Sequence, residues 1–341
     1  MSWLQITWFM LLGVLLTGFA VMDGFDLGVG FWHLGAKGDR ERRTLLNSIG
    51  PVWDGNEVWL LTGGGALFAA FAPVYAAVFS GFYIAMMLVL LALIFRAVSL
   101  EFRSREESLV WRTTWDYIFS ISSTLAALLF GVALGNILHG IPLNENGDYT
   151  GTFLALLNPY ALLIGLVGLF MMALHGANFI IIKTDGELAE KAVSWAVRAG
   201  VLYGVLFVLA SIYTITGFEH LMANYYKVPV LWAIPLTAIV SIILSTLYAK
   251  KHQGVKAFIF STLSIVSMMG ITGAALFPRL VPASNNPQFT LTAANSSSSE
   301  LTLLTMLILA AIGVPIVLGY TFWAYKSFSG KVDMDSSSNH Y

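Results

Sequence analysis

Long apolar runs broken by short polar stretches dominate this chain. A helix needs roughly 20 apolar residues to cross about 30 Å of hydrocarbon. Nine segments come near that length: 3–34, 52–71, 75–96, 115–138, 158–182, 199–218, 228–249, 257–277 and 301–325. Eight are smoothly apolar. In the second, Asp54, Asn56 and Glu57 occupy the first turns, and only Val58 to Phe71 is continuously apolar. The pattern predicts an all-α polytopic membrane protein, with one membrane domain over residues 1–341. The first segment has neither a positive leading run nor a small-residue cleavage site, so it is expected to stay as a helix. The longest polar stretches are 139–157 and 278–300. The second contains Asn295-Ser296-Ser297-Ser298-Ser299, whose composition reads as a solvated linker.

Charge decides whether the second segment spans. Basic residues concentrate in cytoplasmic loops. With nine spans, 16 of the 18 Lys and Arg fall on one side, and only Lys227 and Arg279 on the other. Without the second span, Lys37, Arg40, Arg42 and Arg43 change sides and the division becomes 12 against 6. The nine-span arrangement is therefore expected, with the N-terminus outside and the C-terminus cytoplasmic. Trp3, Tyr75, Tyr225 and Tyr226 then fall at the outer interface, and Trp111, Tyr248 and Trp323 at the inner one.

Composition agrees and excludes other classes. The chain is 57% hydrophobic and 11% charged, where a soluble domain is roughly 45–50% apolar and about 25% charged. A net charge of −1 argues against a nucleic-acid binder. With no cysteine, thiolate catalysis, disulfides and Cys-ligated zinc or iron–sulfur centres are excluded.

The rare ionisable residues within the apolar runs carry the candidate chemistry, because a carboxylate at a helix centre costs roughly 2.5–3.5 kcal/mol on the insertion scale. Asp23 and Asp26 are spaced i,i+3, as are Asp54 and Glu57, so each pair shares one side of its helix. Both pairs fall at the cytoplasmic ends of consecutive antiparallel spans, and Arg96 is the nearest basic partner. Crowded acids in low dielectric can hold and pass protons. The same residues also suit a structural role: Asp54 with Glu57 matches a capping box, and Asp116 suits a cap on the fourth span. Gly63-Gly64-Gly65 lacks the context of a phosphate loop and suits close helix contact. His33 and His175 are haem- or metal-ligand candidates whose more ordinary role is a structural hydrogen bond. Met22-Asp23-Gly24-Phe25-Asp26 is faintly echoed by Leu174-His175-Gly176-Ala177-Asn178, a spacing that chance also produces.

Two longer motifs bring a family into view. Gly18-Phe19-Ala20-Val21-Met22-Asp23-Gly24-Phe25-Asp26-Leu27-Gly28-Val29-Gly30 resembles the first-helix signature of subunit II of cytochrome bd quinol oxidases. Asn47-Ser48-Ile49-Gly50-Pro51-Val52-Trp53-Asp54-Gly55-Asn56-Glu57-Val58-Trp59-Leu60 resembles it equally, and shorter matches run as far as Leu303. The resemblance implies two four-helix bundles plus a peripheral helix. It implies a multi-pass protein of the prokaryotic cell membrane, working in a complex that oxidises quinol and reduces O2 to water. In that family haems b and d belong to the partner, subunit I, with which this chain forms a heterodimer. Subunit II supports assembly, contributes to a proton path and can hold a structural quinone; a small accessory subunit is an open point. Asp54 matches the family's interfacial proton-path acid, Trp53 a residue at the partner interface, Arg96 a basic residue near the path, and Asp23 and Asp26 the acids of the first motif. Glu57 matches less well, since some members carry a neutral amide there. No haem ligand is expected in this chain. A proton-coupled secondary transporter and a purely structural assembly subunit are the two competing readings of the same acids.

Overall fold

A computed structural model describes residues 1–332; residues 333–341, the end of the expected domain, lie outside the described residues. The described chain is almost entirely helical: α1 (Trp3–Trp32), α2 (Gly38–Ile49), α3 (Trp53–Ala70), α4 (Ala72–Gly81), α5 (Tyr83–Phe102), α6 (Leu109–His139), α7 (Pro159–Lys183), α8 (Gly186–Gly217), α9 (Glu219–Lys227), α10 (Ala233–Lys250), α11 (Gly254–Leu276) and α12 (Glu300–Ser327). Among the described residues, eight helical segments, beginning at Trp3, Tyr83, Leu109, Pro159, Gly186, Pro229, Gly254 and Glu300, are long and apolar enough to cross a membrane.

α7 is the central helix and packs against α1, α6, α8 and α11. Its contact with α1 is backbone to backbone. A Cβ on Gly28 would lie 2.1 Å from the Met172 carbonyl oxygen, and one on Gly176 would lie 2.4 Å from the Gly28 carbonyl carbon. Without a hydrophobic drive between helices in lipid, such small-residue contacts supply the packing. Gly176 belongs to the second of the echoed stretches, whereas Gly28 lies just beyond the first; the counterpart of Gly176, Gly24, would bring a Cβ only to the Met172 side chain, at 3.6 Å.

α3 is 18 residues, about 27 Å at 1.5 Å per residue. It runs antiparallel to α12. At one end Ser298, just before α12, donates its backbone N–H to the Ala70 carbonyl at 2.9 Å and its hydroxyl to the Ala69 carbonyl at 2.6 Å. At the other, Tyr325 near the end of α12 donates to the Asn56 side chain at 2.7 Å. Residues 295–299 are consequently no solvated linker. Ser297 accepts from the Gln5 side-chain amide at 2.8 Å, Ser296 is buried, and Ser299 caps α12. Serine hydroxyls suit this work because they satisfy helix-end groups at short range.

Several expected boundaries move. The segment expected at 75–96 is two helices, α4 and α5, broken at Phe82, which is buried beside Tyr149. α6 begins at Leu109 with Ser108 as its cap, so Asp116 lies two turns inside and caps nothing. Val52 caps α3 without a side-chain bond, so Asp54 and Glu57 form no capping box. α8 starts 13 residues before position 199 because Leu188, Ala192, Trp195 and Ala196 bury one face of its polar first turns. Of the glycine triplet only Gly63 meets α1, through Leu16; Gly64 and Gly65 face open space. Tyr225 is buried and donates to the Ile271 carbonyl at 3.2 Å, rather than anchoring an interface.

At the end of the molecule holding the start of α1, the loops 140–158 and 277–299 bind each other. Ile141 donates its backbone N–H to the Pro282 carbonyl, and its own carbonyl accepts from the Ser284 N–H, each at 3.0 Å. The Asn285 side chain bridges both backbone groups of Leu143. The opposite end gathers Arg42, Arg103 and Arg112, and is called the basic end below.

Candidate functional site: a buried acid–arginine cluster

α1 carries Asp23 and Asp26 about two turns inside its basic end, on the side facing α3 and α5. Both are essentially fully buried, as is Arg96 of α5. Arg96 grips Asp23 with both terminal guanidinium nitrogens, at 2.6 and 2.8 Å, the bidentate geometry that a planar guanidinium provides. Glu57 of α3 stands 3.5 Å from the same guanidinium and keeps 20% of its side chain exposed. Asp26 is held by Asn56, whose amide nitrogen donates at 2.8 Å. Its other carboxylate oxygen is buried and has no hydrogen-bond partner among the described residues.

The cluster therefore sets three carboxylates against one guanidinium. A buried charge needs a partner or a proton, and a single guanidinium can compensate only one of the three carboxylates. Helix α3 divides its polar residues between two directions: Asn56 and Glu57 turn inward, and Asp54 faces out, exposed on the surface of the chain. The structure thus brings Asp23, Asp26, Glu57 and Arg96 into one site and sets Asp54 at its outer edge. Trp53 is half-buried and packs against the main core.

A second cluster lies closer to the basic end. Asp116 accepts from Arg103 at 2.6 Å and from Arg42 at 2.8 Å, and pairs with His33 at 2.6 Å. Arg103 and Arg112 both reach Asp39 of α2, at 3.0 and 3.2 Å. This network ties α2 and the ends of α1, α5 and α6 together. It also puts both ends of the α3–α4–α5 excursion on the same side. His175 has both ring nitrogens engaged, with Ser261 at 2.7 Å and the Val21 carbonyl at 3.1 Å, and stacks on Phe258. His33 has its Nε2 committed to Asp116. Neither histidine is presented as a metal ligand, and among the described residues no three His, Asp or Glu side chains could hold a metal ion together.

Two cluster members, Asn56 and Tyr325, carry no sequence signal of charge. Asn56 was visible only as a polar interruption of an apolar run, and Tyr325 lies 269 residues further along the chain.

Fold and site together define a multi-pass helical membrane protein, with ionisable groups concentrated at one end of its helices. Residues 4–328 match the family model described as cytochrome bd terminal oxidase subunit II. The chain is 41% identical to cytochrome bd-I ubiquinol oxidase subunit 2 of Escherichia coli, over 96% of this chain and 95% of that one. It is 39% identical to a probable cytochrome oxidase subunit 2 of Haemophilus influenzae, over 97% and 96%. Its fold matches a chain of the bd oxidase structure from Geobacillus thermodenitrificans with a TM-score of 0.80, at 14% identity, covering 96% of this chain and 99% of that one. The chain belongs to the cytochrome bd terminal oxidase subunit II family, and is a subunit of an oxidoreductase complex. This membership sets aside the transporter reading.

Proposed function

We propose that this chain pairs with subunit I in a quinol:O2 oxidoreductase, supports assembly of that haem-bearing partner, and supplies part of the path by which cytoplasmic protons reach O2 reduction. The observation that carries the reading is the buried Asp23–Asp26–Glu57–Arg96 site with Asp54 exposed at its edge. Three carboxylates beside one guanidinium form a store for protons, and an exposed carboxylate on the same helix suits a surface where the partner would dock. Haems b and d belong to the partner and supply the redox chemistry. His175 has both ring nitrogens hydrogen-bonded and His33 has its Nε2 on Asp116, which suits structural roles for these two residues rather than haem ligation.

Topology follows from charge. The basic end is cytoplasmic, the N-terminus outside and the C-terminus inside, with α3 as the ninth span beside the eight longer helices. Its antiparallel course along α12 supports that count. α1, α3, α5 and α6 make one four-helix bundle, α7, α8, α10 and α11 the other, and α12 is peripheral. Protons consumed from the cytoplasm while quinol releases its own outside would build the membrane potential without a pump, each charge storing about 2.3 kcal/mol per 100 mV. An apolar cavity of about 270 Å³ is lined by Phe130, Met171, Phe207, Met222, Trp232 and Met268 among others. It suits the isoprenoid tail of a structural quinone, which solvent extraction of the purified complex would recover; a quinone-free extract removes this part of the reading.

Asp54→Asn tests the proton path. The side chain is exposed, so the complex should assemble with full haem content while quinol-dependent O2 uptake falls about a hundredfold, the lower range for loss of a proton-transferring group. Wild-type uptake would move the path elsewhere. Loss of assembly would favour the purely structural reading, which the buried Arg96–Asp23 pair also suits.

A further inference from the structure

Asp26 reaches the last helix of the chain through a two-bond relay. Asn56 donates from its amide nitrogen to one Asp26 oxygen at 2.8 Å, and the Tyr325 hydroxyl donates to the Asn56 amide oxygen at 2.7 Å. The Tyr325 ring also meets the Phe25 ring edge-on, with centroids 6.4 Å apart. The relay ends on the carboxylate whose second oxygen is buried and unpartnered among the described residues.

The two ends of an amide are chemically opposite: the nitrogen only donates, and the oxygen only accepts. A tyrosine hydroxyl does both. The relay therefore has two self-consistent directions. With Asp26 ionised, every donor points toward it: Tyr325 to Asn56, and Asn56 to Asp26. With Asp26 protonated, the amide can turn over, accept from the acid and donate to the tyrosine oxygen. In the arrangement observed, the Tyr325 hydroxyl donates to the Asn56 oxygen, so the amide nitrogen faces Asp26 and its donation to an ionised carboxylate is strengthened by polarisation along the relay. Resting on the proton-path reading above, we infer that Tyr325 is a positioning residue that sets the proton affinity of Asp26 through the orientation of Asn56. α12, otherwise a peripheral helix, thereby acts on the acid site.

Other groups near Asp26 do not duplicate this role. Asp23 shares α1 and is committed to Arg96 of α5, while α3 brings Glu57, with Asp54 facing outward. α6 and α7 bring Asp116 and His175 to α1, each engaged with its own partners. α11 meets α1 through Phe258, and its Lys256 lies over the Tyr248 ring.

The test is the pH profile of quinol-dependent O2 uptake by the assembled complex. Tyr325→Phe keeps the ring packing against Phe25, so haem content should be preserved. Without the hydroxyl, the amide loses that polarisation and stabilises an ionised Asp26 less. The acid-side limb of the profile should move up by roughly a few tenths of a pH unit, the scale of cooperative strengthening of one charge-assisted hydrogen bond. Asn56→Leu should give the same direction of shift and stands in if the Phe variant fails to assemble. Combined with Asp26→Asn, Tyr325→Phe should add nothing further. An unmoved profile in Tyr325→Phe, while Asp26→Asn alters it, would overturn this inference and leave the proton path intact. If Asp26→Asn and Asp54→Asn both retain the wild-type profile and rate, the path itself fails and this inference with it.

Discussion

Arg96 and Asp23, 73 residues apart in sequence, lock together by two hydrogen bonds of 2.6 and 2.8 Å with both side chains excluded from solvent. Breaking such a pair by removing one partner leaves a buried uncompensated charge and costs about 3–5 kcal/mol, whereas replacing both with apolar residues is often neutral. Arg96→Met should therefore sharply reduce the yield of haem-loaded complex and its melting temperature. Arg96→Met combined with Asp23→Leu should regain much of that stability without regaining oxidase rate. A double variant no more stable than the single one would show that the pair does not govern assembly.

The Asp116 network separates strong from weak ion pairs. Asp116 is buried and faces Arg103, Arg42 and His33 at once, so Asp116→Ala strands the buried Arg103 guanidinium and should cost about 3 kcal/mol or more. Arg112 and Asp39 are 24% and 38% exposed, and such surface pairs contribute roughly 0–1 kcal/mol. Thermal melts of Asp116→Ala and Arg112→Ala in the purified complex should therefore differ clearly. Similar melting temperatures would contradict the assignment of Asp116 as the centre of the network.

Much of this arrangement could be read from residue order. Apolar runs long enough to span appear directly in the chain, and Asp23, Asp26, Glu57 and Arg96 stand out because charge inside such a run is costly. The phase of α3 was harder to read. Its apolar residues surround the helix, so nothing in the order says that Asn56 turns inward and Asp54 outward. Tyr325 was hidden for a related reason: beside Tyr320 and Trp323 it reads as one more interfacial aromatic, and only tertiary packing carries it to Asn56. Asp116 looked like a cap because its partners, His33, Arg42 and Arg103, are scattered over three separate stretches.

Backbone contact between α1 and α7 makes Gly28 and Gly176 intolerant of any side chain. A methyl at Gly176 would sit 2.4 Å from the Gly28 carbonyl carbon, whereas one at Gly64 meets nothing within 4 Å. Overpacking typically costs about 1–3 kcal/mol and more when backbone must move, so Gly176→Ala should abolish or greatly reduce assembled complex. Gly64→Ala, on an open helix face, should melt at or slightly above the wild-type temperature, since alanine is the better helix former by up to about 1 kcal/mol. Equal tolerance at the two positions would refute the close crossing.

His220 gives stability a pH dependence at the end opposite the basic one. Burial is the main cause that holds its imidazole below the usual histidine range, with Arg279 and His139 acting in the same direction and the Leu138 carbonyl against them. The ring nitrogen hydrogen-bonds that carbonyl at 3.1 Å, and the Arg279 guanidinium holds the His220 carbonyl. In the unfolded chain the imidazole takes up its proton near pH 6.5, so just below that pH the unfolded state binds more protons than the folded one. Stability from this group is complete above about pH 6.5 and declines as pH falls beneath it. His220→Gln keeps a donor for Leu138 but cannot titrate. The fall in melting temperature of the purified complex between about pH 7.5 and pH 5 should therefore be smaller in the variant than in the wild type. An equal fall in both would remove His220 as a source of the acid sensitivity.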